Sequence, residues 1–194
     1  MNRRFEIVVL VGSLRRESVT RKVAHALMAV APPSLVLREL DLNPLPMYNA
    51  DLESEVPASW AQLRGDVKAS DGILFVTPEY NRSVPGVIKN AVDVASRPGG
   101  HGAWSGKPGA VVSVTPFGLG ALGANHHLRQ SLVYVNVLTM AQPEAYISRA
   151  ADLFDASGAL VNEASREFFA RFMTAFADWV ARLTPGPGSQ PGVQ

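Results

Sequence analysis

The chain has 194 residues, 47% of them hydrophobic and 18% charged, which suits one domain with a substantial core. Its 18 Lys and Arg stand against 17 Asp and Glu, and the resulting net charge of +1 argues against nucleic acid or an anionic membrane as the main partner. There is no cysteine, so disulfides, zinc–thiolate sites, iron–sulfur clusters and thiol nucleophiles are excluded.

Arg3 and Arg4 precede a short apolar run that Glu6 interrupts, and no small-residue cleavage site follows, so no signal peptide is expected. No stretch of 18 apolar residues occurs, no membrane span is expected, and the cytoplasm is the default compartment. Phe5–Val11 reads as a first strand buried on both faces. It ends at Gly12, and Ser13, Leu14, Arg15, Arg16, Glu17 and Ser18 lead into a helix over Val19–Ala31 that Pro32-Pro33 stops. A strand feeding a helix N-terminus gathers unpaired amides and the positive end of a helix dipole at one point. Ser13, Ser18 and Thr20 add hydroxyls there and Arg15 a guanidinium fork, a combination suited to a phosphate dianion. An ordinary turn with Ser18 as N-cap and two solvated arginines fits the same residues equally well. No Gly-Lys-Ser/Thr follows, which disfavours nucleoside triphosphate chemistry.

Leu35–Leu40 is a second strand candidate, and Asp41–Glu55 a long Pro- and Asn-bearing loop, either functional or a cover for the core. Pro57 suits the first helical position of a helix running to about Ala69. Ile73–Thr77 is a third buried strand, and it opens into Pro78-Glu79-Tyr80-Asn81-Arg82-Ser83-Val84-Pro85-Gly86. Two prolines stiffen that loop, and its backbone and Tyr80 could read the edge or cover the face of a flat heterocycle. A helix follows, then a Gly-rich loop over Arg97–Lys107 and a fourth strand over Gly109–Thr115. A glycine-spaced loop, a helix over His126–Val133 and a short fifth strand around Val135–Met140 come next. An amphipathic helix between Gly158 and Leu183 closes the domain, with residues 184–194 a Pro/Gly/Ser-rich tail expected to be disordered.

Gly118-Leu119-Gly120-Ala121-Leu122-Gly123 is a formal G-x-G-x-x-G, with acidic Glu144 downstream near the dinucleotide-binding spacing. Too little chain follows Glu144 to complete a dinucleotide-binding half, so backbone approach to a ligand held elsewhere is the stronger reading of these glycines. His25, His101, His126 and His127 show no metal-ligand pattern, and no Ser-His-Asp spacing or close carboxylate pair stands out. No metal and no catalytic side chain are expected.

Five strands alternating with helices imply a parallel sheet covered on both faces, a three-layer α/β sandwich. With the phosphate-type loop after strand 1, the flavodoxin-like order 2-1-3-4-5 follows, and it places ligands at the switch point between strands 1 and 3. The loops after Val11 and Thr77 both fall there.

Gly12-Ser13-Leu14-Arg15 with Ser18, and Pro78-Glu79-Tyr80-Asn81-x-Ser83-x-Pro85-Gly86 with Lys89-Asn90-Ala91 and Asp93, resemble the NADPH-dependent FMN reductase family, within it the chromate/quinone reductases and azoreductases. Leu45-Pro46-Met47-Tyr48-Asn49 with Asp51-Leu52, and His127-Leu128-Arg129-Gln130, are similar too. The resemblance implies a flavodoxin-like fold, one bound FMN, NADPH or NADH as co-substrate, and a homodimer or homotetramer. It implies that Ser13, Arg15, Ser18, Val19 and Thr20 hold the FMN phosphate end. Pro78, Glu79, Tyr80 and Asn81 would line the ring and ribityl chain, and Thr115, Pro116 and Gly118 would flank the ring. Thr20 stands where relatives often carry Asn, and Gly120–His126 replaces a Gly-Gly-x-Arg stretch ending in an aromatic, which leaves the subunit contacts open.

The expected function is therefore an NAD(P)H oxidoreductase that passes electrons through FMN to a quinone, azo compound, free flavin or metal oxyanion. A non-enzymatic FMN carrier, or a flavin-free dinucleotide-dependent oxidoreductase using Gly118–Gly123, stands as the alternative.

Overall fold

In the computed structural model, which describes residues 3–184, the sheet runs β2-β1-β3-β4-β5, all pairings parallel, with a sixth strand also on β4. The strands are β1 (Phe5–Val11), β2 (Leu35–Glu39), β3 (Gly72–Pro78), β4 (Pro108–Val114), β5 (Leu138–Thr139) and β6 (Ala145–Ile147). The helices are α1 (Val19–Ala29), α2 (Ala58–Ala69), α3 (Gly86–Ala95), α4 (Leu122–Tyr134) and α5 (Glu163–Leu183). This is the expected flavodoxin-like order.

The near-continuous apolar strands are explained by burial on both faces, and their alternation divides the core in two. Val9, Val11, Leu74, Val76, Val112 and Val114 face α1 and α5, where Val23, Leu27, Phe169, Phe172 and Phe176 meet them. Val8, Leu10, Ile73, Phe75 and Val111 face α2, α3 and α4, against Trp60, Leu63, Ile88, Val92 and Leu128. The long 41–55 loop belongs to this second core: Leu42 is buried, and Leu45, Tyr48 and Leu52 pack against it. Buried Asn90 on α3 clamps the loop, accepting from the Tyr48 amide at 2.7 Å and donating to the Pro46 carbonyl at 3.0 Å. Trp60 Nε1 donates to the same carbonyl at 3.1 Å.

Four expectations are corrected. The sheet has six strands rather than five, because the outer strand is split. Leu138–Thr139 pairs with the start of β4 and Ala145–Ile147 with its end, and Pro143, which has no amide to give a ladder, lies between them. Helix α4 begins at Leu122 instead of His126, for a reason given below. Helix α5 begins at Glu163 instead of near Gly158, where Asn162 accepts the Ser165 amide and so supplies the N-cap. Pro57 occupies the position just before α2 rather than its first helical position, and Pro85 stands likewise just before α3. Past Thr184, the expected disordered tail lies outside the described residues. Among the described residues no helix is long and apolar enough to cross a membrane.

Candidate functional site

The parallel register brings three loops together. Val11 pairs with Val76 and Pro78 with Val114, so β1, β3 and β4 end side by side and release their loops at one edge. The first two loops touch. A Cβ on Gly12 would lie 2.8 Å from Pro78 Cδ, 2.9 Å from Ile88 Cγ1 and 3.3 Å from Thr77 Oγ1, so only glycine permits this approach.

The first loop has an unusual hydrogen-bond inventory. The Gly12 amide is taken by the Val76 carbonyl at 2.9 Å, but among the described residues no backbone amide from Ser13 to Thr20 finds an acceptor. Ser13 and Thr20 are buried as residues, 4% and 2% exposed, and neither hydroxyl makes a hydrogen bond among the described residues, so both are left facing solvent at the loop. Ser18 Oγ accepts the Arg21 amide at 3.2 Å and caps α1, leaving its own hydroxyl hydrogen to give. Unpaired amides and hydroxyls gathered at a helix N-terminus form an arrangement that suits an anion. Arg15 is exposed and, with Glu17, Val19, Lys22, Pro116 and Asp155, lines a cleft of about 290 Å³ that joins the first loop to the third. Asp155 in that cleft is held below the usual carboxylate range by the Ser157 hydroxyl and the Ala159 amide.

The second loop is a tight turn. Tyr80 and Ser83 exchange amide–carbonyl bonds at 3.1 Å each, and Asn81 and Arg82 both have positive φ, 51° and 65°, the mark of a type I′ turn. Pro78 ends β3, while Tyr80 and Asn81 are exposed at the turn. Glu79 turns away from that surface: its Oε2 accepts the Ala124 amide at 3.1 Å, in the first turn of α4. A carboxylate at a helix N-terminus satisfies an orphan amide and the dipole together. That is why α4 starts four residues earlier than its local sequence signals, since Ala121 has no capping side chain. Gly123 makes room for the contact, because a Cβ there would lie 2.9 Å from Glu79 Oε2 and 2.8 Å from the Arg82 carbonyl.

In the third loop Thr115 is half-buried, with Pro116 and Gly118 exposed and open space beside Gly118. Thr115 Oγ1 accepts the Phe117 amide at 3.2 Å. Gly120, at φ 55°, packs on the Tyr146 backbone, and its carbonyl accepts from buried Ser113 Oγ at 2.6 Å. Asn125 and Arg129 extend this chain to the Met140 carbonyl. Gly120 and Gly123 are thus taken up by packing, Gly118 alone standing open, and the helix N-terminus that would face a pyrophosphate holds Glu79.

Residues not assigned a role from sequence support the site. His127 Nδ1 meets Ser83 Oγ at 2.9 Å and ties α4 to the turn, and His126 stacks on Tyr146, whose hydroxyl donates to Glu144 at 2.8 Å. Burial, then the hydrogen bond and charge of Glu144, pushes the Tyr146 phenol above its ordinary value. Arg21, silent in the sequence reading, braces the first loop. Phe117, Leu119 and Leu122 stand exposed beside the third loop. Among the described residues no group of three or more His, Asp or Glu could hold a metal ion.

The chain is similar to several known proteins. A quinone reductase of Pseudomonas putida is 53% identical over 181 residues, 93% of this chain and 97% of that protein. A 2-hydroxy-1,4-benzoquinone reductase of a Burkholderia species is 42% identical over 175 residues, 90% of this chain and 96% of its own. The solved structure of FerB, a flavoenzyme NAD(P)H:(acceptor) oxidoreductase from Paracoccus denitrificans, superposes with a TM-score of 0.88 at 39% identity, covering 93% of this chain and all of that one. Residues 5–152 match the NADPH-dependent FMN reductase family, and with the sheet order and loops described above the chain belongs to that family.

Proposed function

We propose that the chain binds FMN at the three-loop edge and uses NADPH or NADH to reduce a small quinone-type acceptor. The observation that carries this reading is the unpaired run of amides and hydroxyls over Ser13–Thr20, at the switch point of the sheet. Its donors fit a phosphomonoester dianion in number and kind. In this reading Ser13, Ser18 and Thr20 give their hydroxyl hydrogens, and Arg15 swings its fork onto the phosphate from the cleft rim. Val19 supports the loop as the first residue of α1. Pro78, Tyr80, Asn81 and the Glu79 backbone line the ring and ribityl chain, while Thr115, Pro116 and Gly118 flank the ring. The chemistry supplied by bound FMN is two-electron transfer from a reduced nicotinamide to the acceptor, which requires no acid or base from the protein at the first step.

The quinone class is favoured over azo, free-flavin and metal-oxyanion acceptors by the similarity to quinone reductases, and by the exposed rings and aliphatic side chains of Tyr80, Phe117 and Leu119, which suit a flat apolar acceptor. The same exposed rim suits self-association as a homodimer or homotetramer.

The test is the visible spectrum of the full chain with added FMN, before and after anaerobic NADPH, followed by a quinone, an azo dye or chromate. A bound-flavin spectrum that bleaches and is restored fastest by the quinone is expected. Failure to bind FMN would overturn the reading, and faster restoration by another acceptor would overturn the quinone assignment alone.

A further inference from the structure

Arg21 lies in the first turn of α1, where a cation opposes the helix dipole, and no acidic residue of that turn offsets it. All three nitrogens of its guanidinium are nonetheless engaged, away from the helix amides. Nε donates to Glu39 Oε1 at 2.9 Å, one terminal nitrogen to the Arg15 carbonyl at 3.0 Å, and the other to the Ser13 carbonyl at 3.1 Å. Glu39 ends β2, and its second oxygen meets His25 Nε2 at 2.8 Å. The Arg21 and Glu39 side chains are only 30% and 23% exposed, so the pair is partly shielded from water.

A trans peptide unit points its carbonyl and the following amide in opposite directions. With the Ser13 and Arg15 carbonyls both drawn to Arg21, the Leu14 and Arg16 amides are turned the opposite way, away from the guanidinium. An unbraced Ser-Leu-Arg segment would sample many orientations and lose the alignment of its donors. We propose that Arg21, held by Glu39, is a positioning residue that fixes the amide direction of the first loop and so sets its affinity for a phosphate group. The inference rests on the reading of that loop as the FMN phosphate site. Edge strand β2, which contributes no side chain to the three loops, is thereby made part of the binding apparatus.

Titration of the full chain by quenching of flavin fluorescence, with FMN and in parallel with riboflavin, separates this role from general support of the fold. Wild type is expected to bind FMN far more tightly than riboflavin. In Arg21→Met, FMN affinity should drop about tenfold while riboflavin affinity stays within about twofold, so the FMN-to-riboflavin ratio collapses. Glu39→Gln should shift the ratio the same way by about threefold, and it carries the test if Arg21→Met does not fold. Equal losses for both flavins, or an unchanged ratio in the variants, would overturn the positioning role and leave the phosphate site standing. A wild type that does not distinguish FMN from riboflavin would overturn the phosphate site itself.

Discussion

Gly12 and Pro78 are packed so that a single added methyl on the glycine would overlap the proline ring at 2.8 Å. The first two loops are therefore not independent. Gly12→Ala should destabilise the fold by about 1–3 kcal/mol, the cost of overpacking, and weaken FMN binding as the loops part. Urea denaturation with and without FMN measures both, and a variant with wild-type stability and affinity would show that the loops yield freely.

Arg15 is exposed and makes no side-chain hydrogen bond within the described residues. Its loss should leave folding almost untouched. Arg15→Ala is expected to weaken FMN by about 1.5–3 kcal/mol, the scale of a hydrogen bond to a charged group. Unchanged FMN affinity in a fluorescence titration would remove Arg15 from the phosphate site.

Glu79 is expected to contribute to α4 as a cap. Glu79→Ala should cost about 0.5–2 kcal/mol through the Ala124 amide it abandons. Glu79→Gln keeps an acceptor and loses the charge, so its cost should be about 0.3–1 kcal/mol. The two midpoints in flavin-free urea titrations decide the matter, and a Gln variant as damaged as Ala would assign the whole effect to charge. The ion pair with Arg82, at 3.7 Å and largely exposed on the Arg82 side, should add little.

Tyr146 gives a pH dependence of fixed sign. Its phenol is raised in the folded chain above the ordinary value of 10.0, chiefly by burial and then by Glu144. The protonated form is the one favoured by folding, so its contribution is complete below pH 10 and is lost as pH climbs through the raised value. Tyr146→Phe should flatten the alkaline limb of the stability curve. The difference between wild-type and Tyr146→Phe absorbance at about 295 nm isolates this phenol, and Glu144→Gln should bring its titration back toward the ordinary value.

The strands that carry the site were legible because parallel strands buried on both faces leave unbroken apolar runs. Phe5–Val11 was read to the residue, and β3 and β4 within one. The switch point followed from strand order alone. What escaped the sequence were relationships that cross it. Nothing near Leu122 announces a helix start, since the cap comes from Glu79, 45 positions before the amide it accepts. Strand β6 is three residues long and follows a proline, too short for its alternation to register. Arg21 carries no local signal of its role, because Glu39, the Ser13 carbonyl and the Arg15 carbonyl meet it only in the folded chain. Asn90 carried a family resemblance, but its clamp on Tyr48 and Pro46 shows only in three dimensions.

The interrupted rim formed by β5 and β6 bears on how the chain behaves when crowded. A strand from another molecule needs a continuous row of open amides and carbonyls to add itself to a sheet. On this side it meets two residues, a stretch containing Pro143, and then three more, and the Leu138 carbonyl is already taken by Trp179 Nε1 at 2.7 Å. The rim next to β4 thus denies neighbouring chains a template for fibre growth, even though the sheet behind it is among the most apolar parts of the molecule.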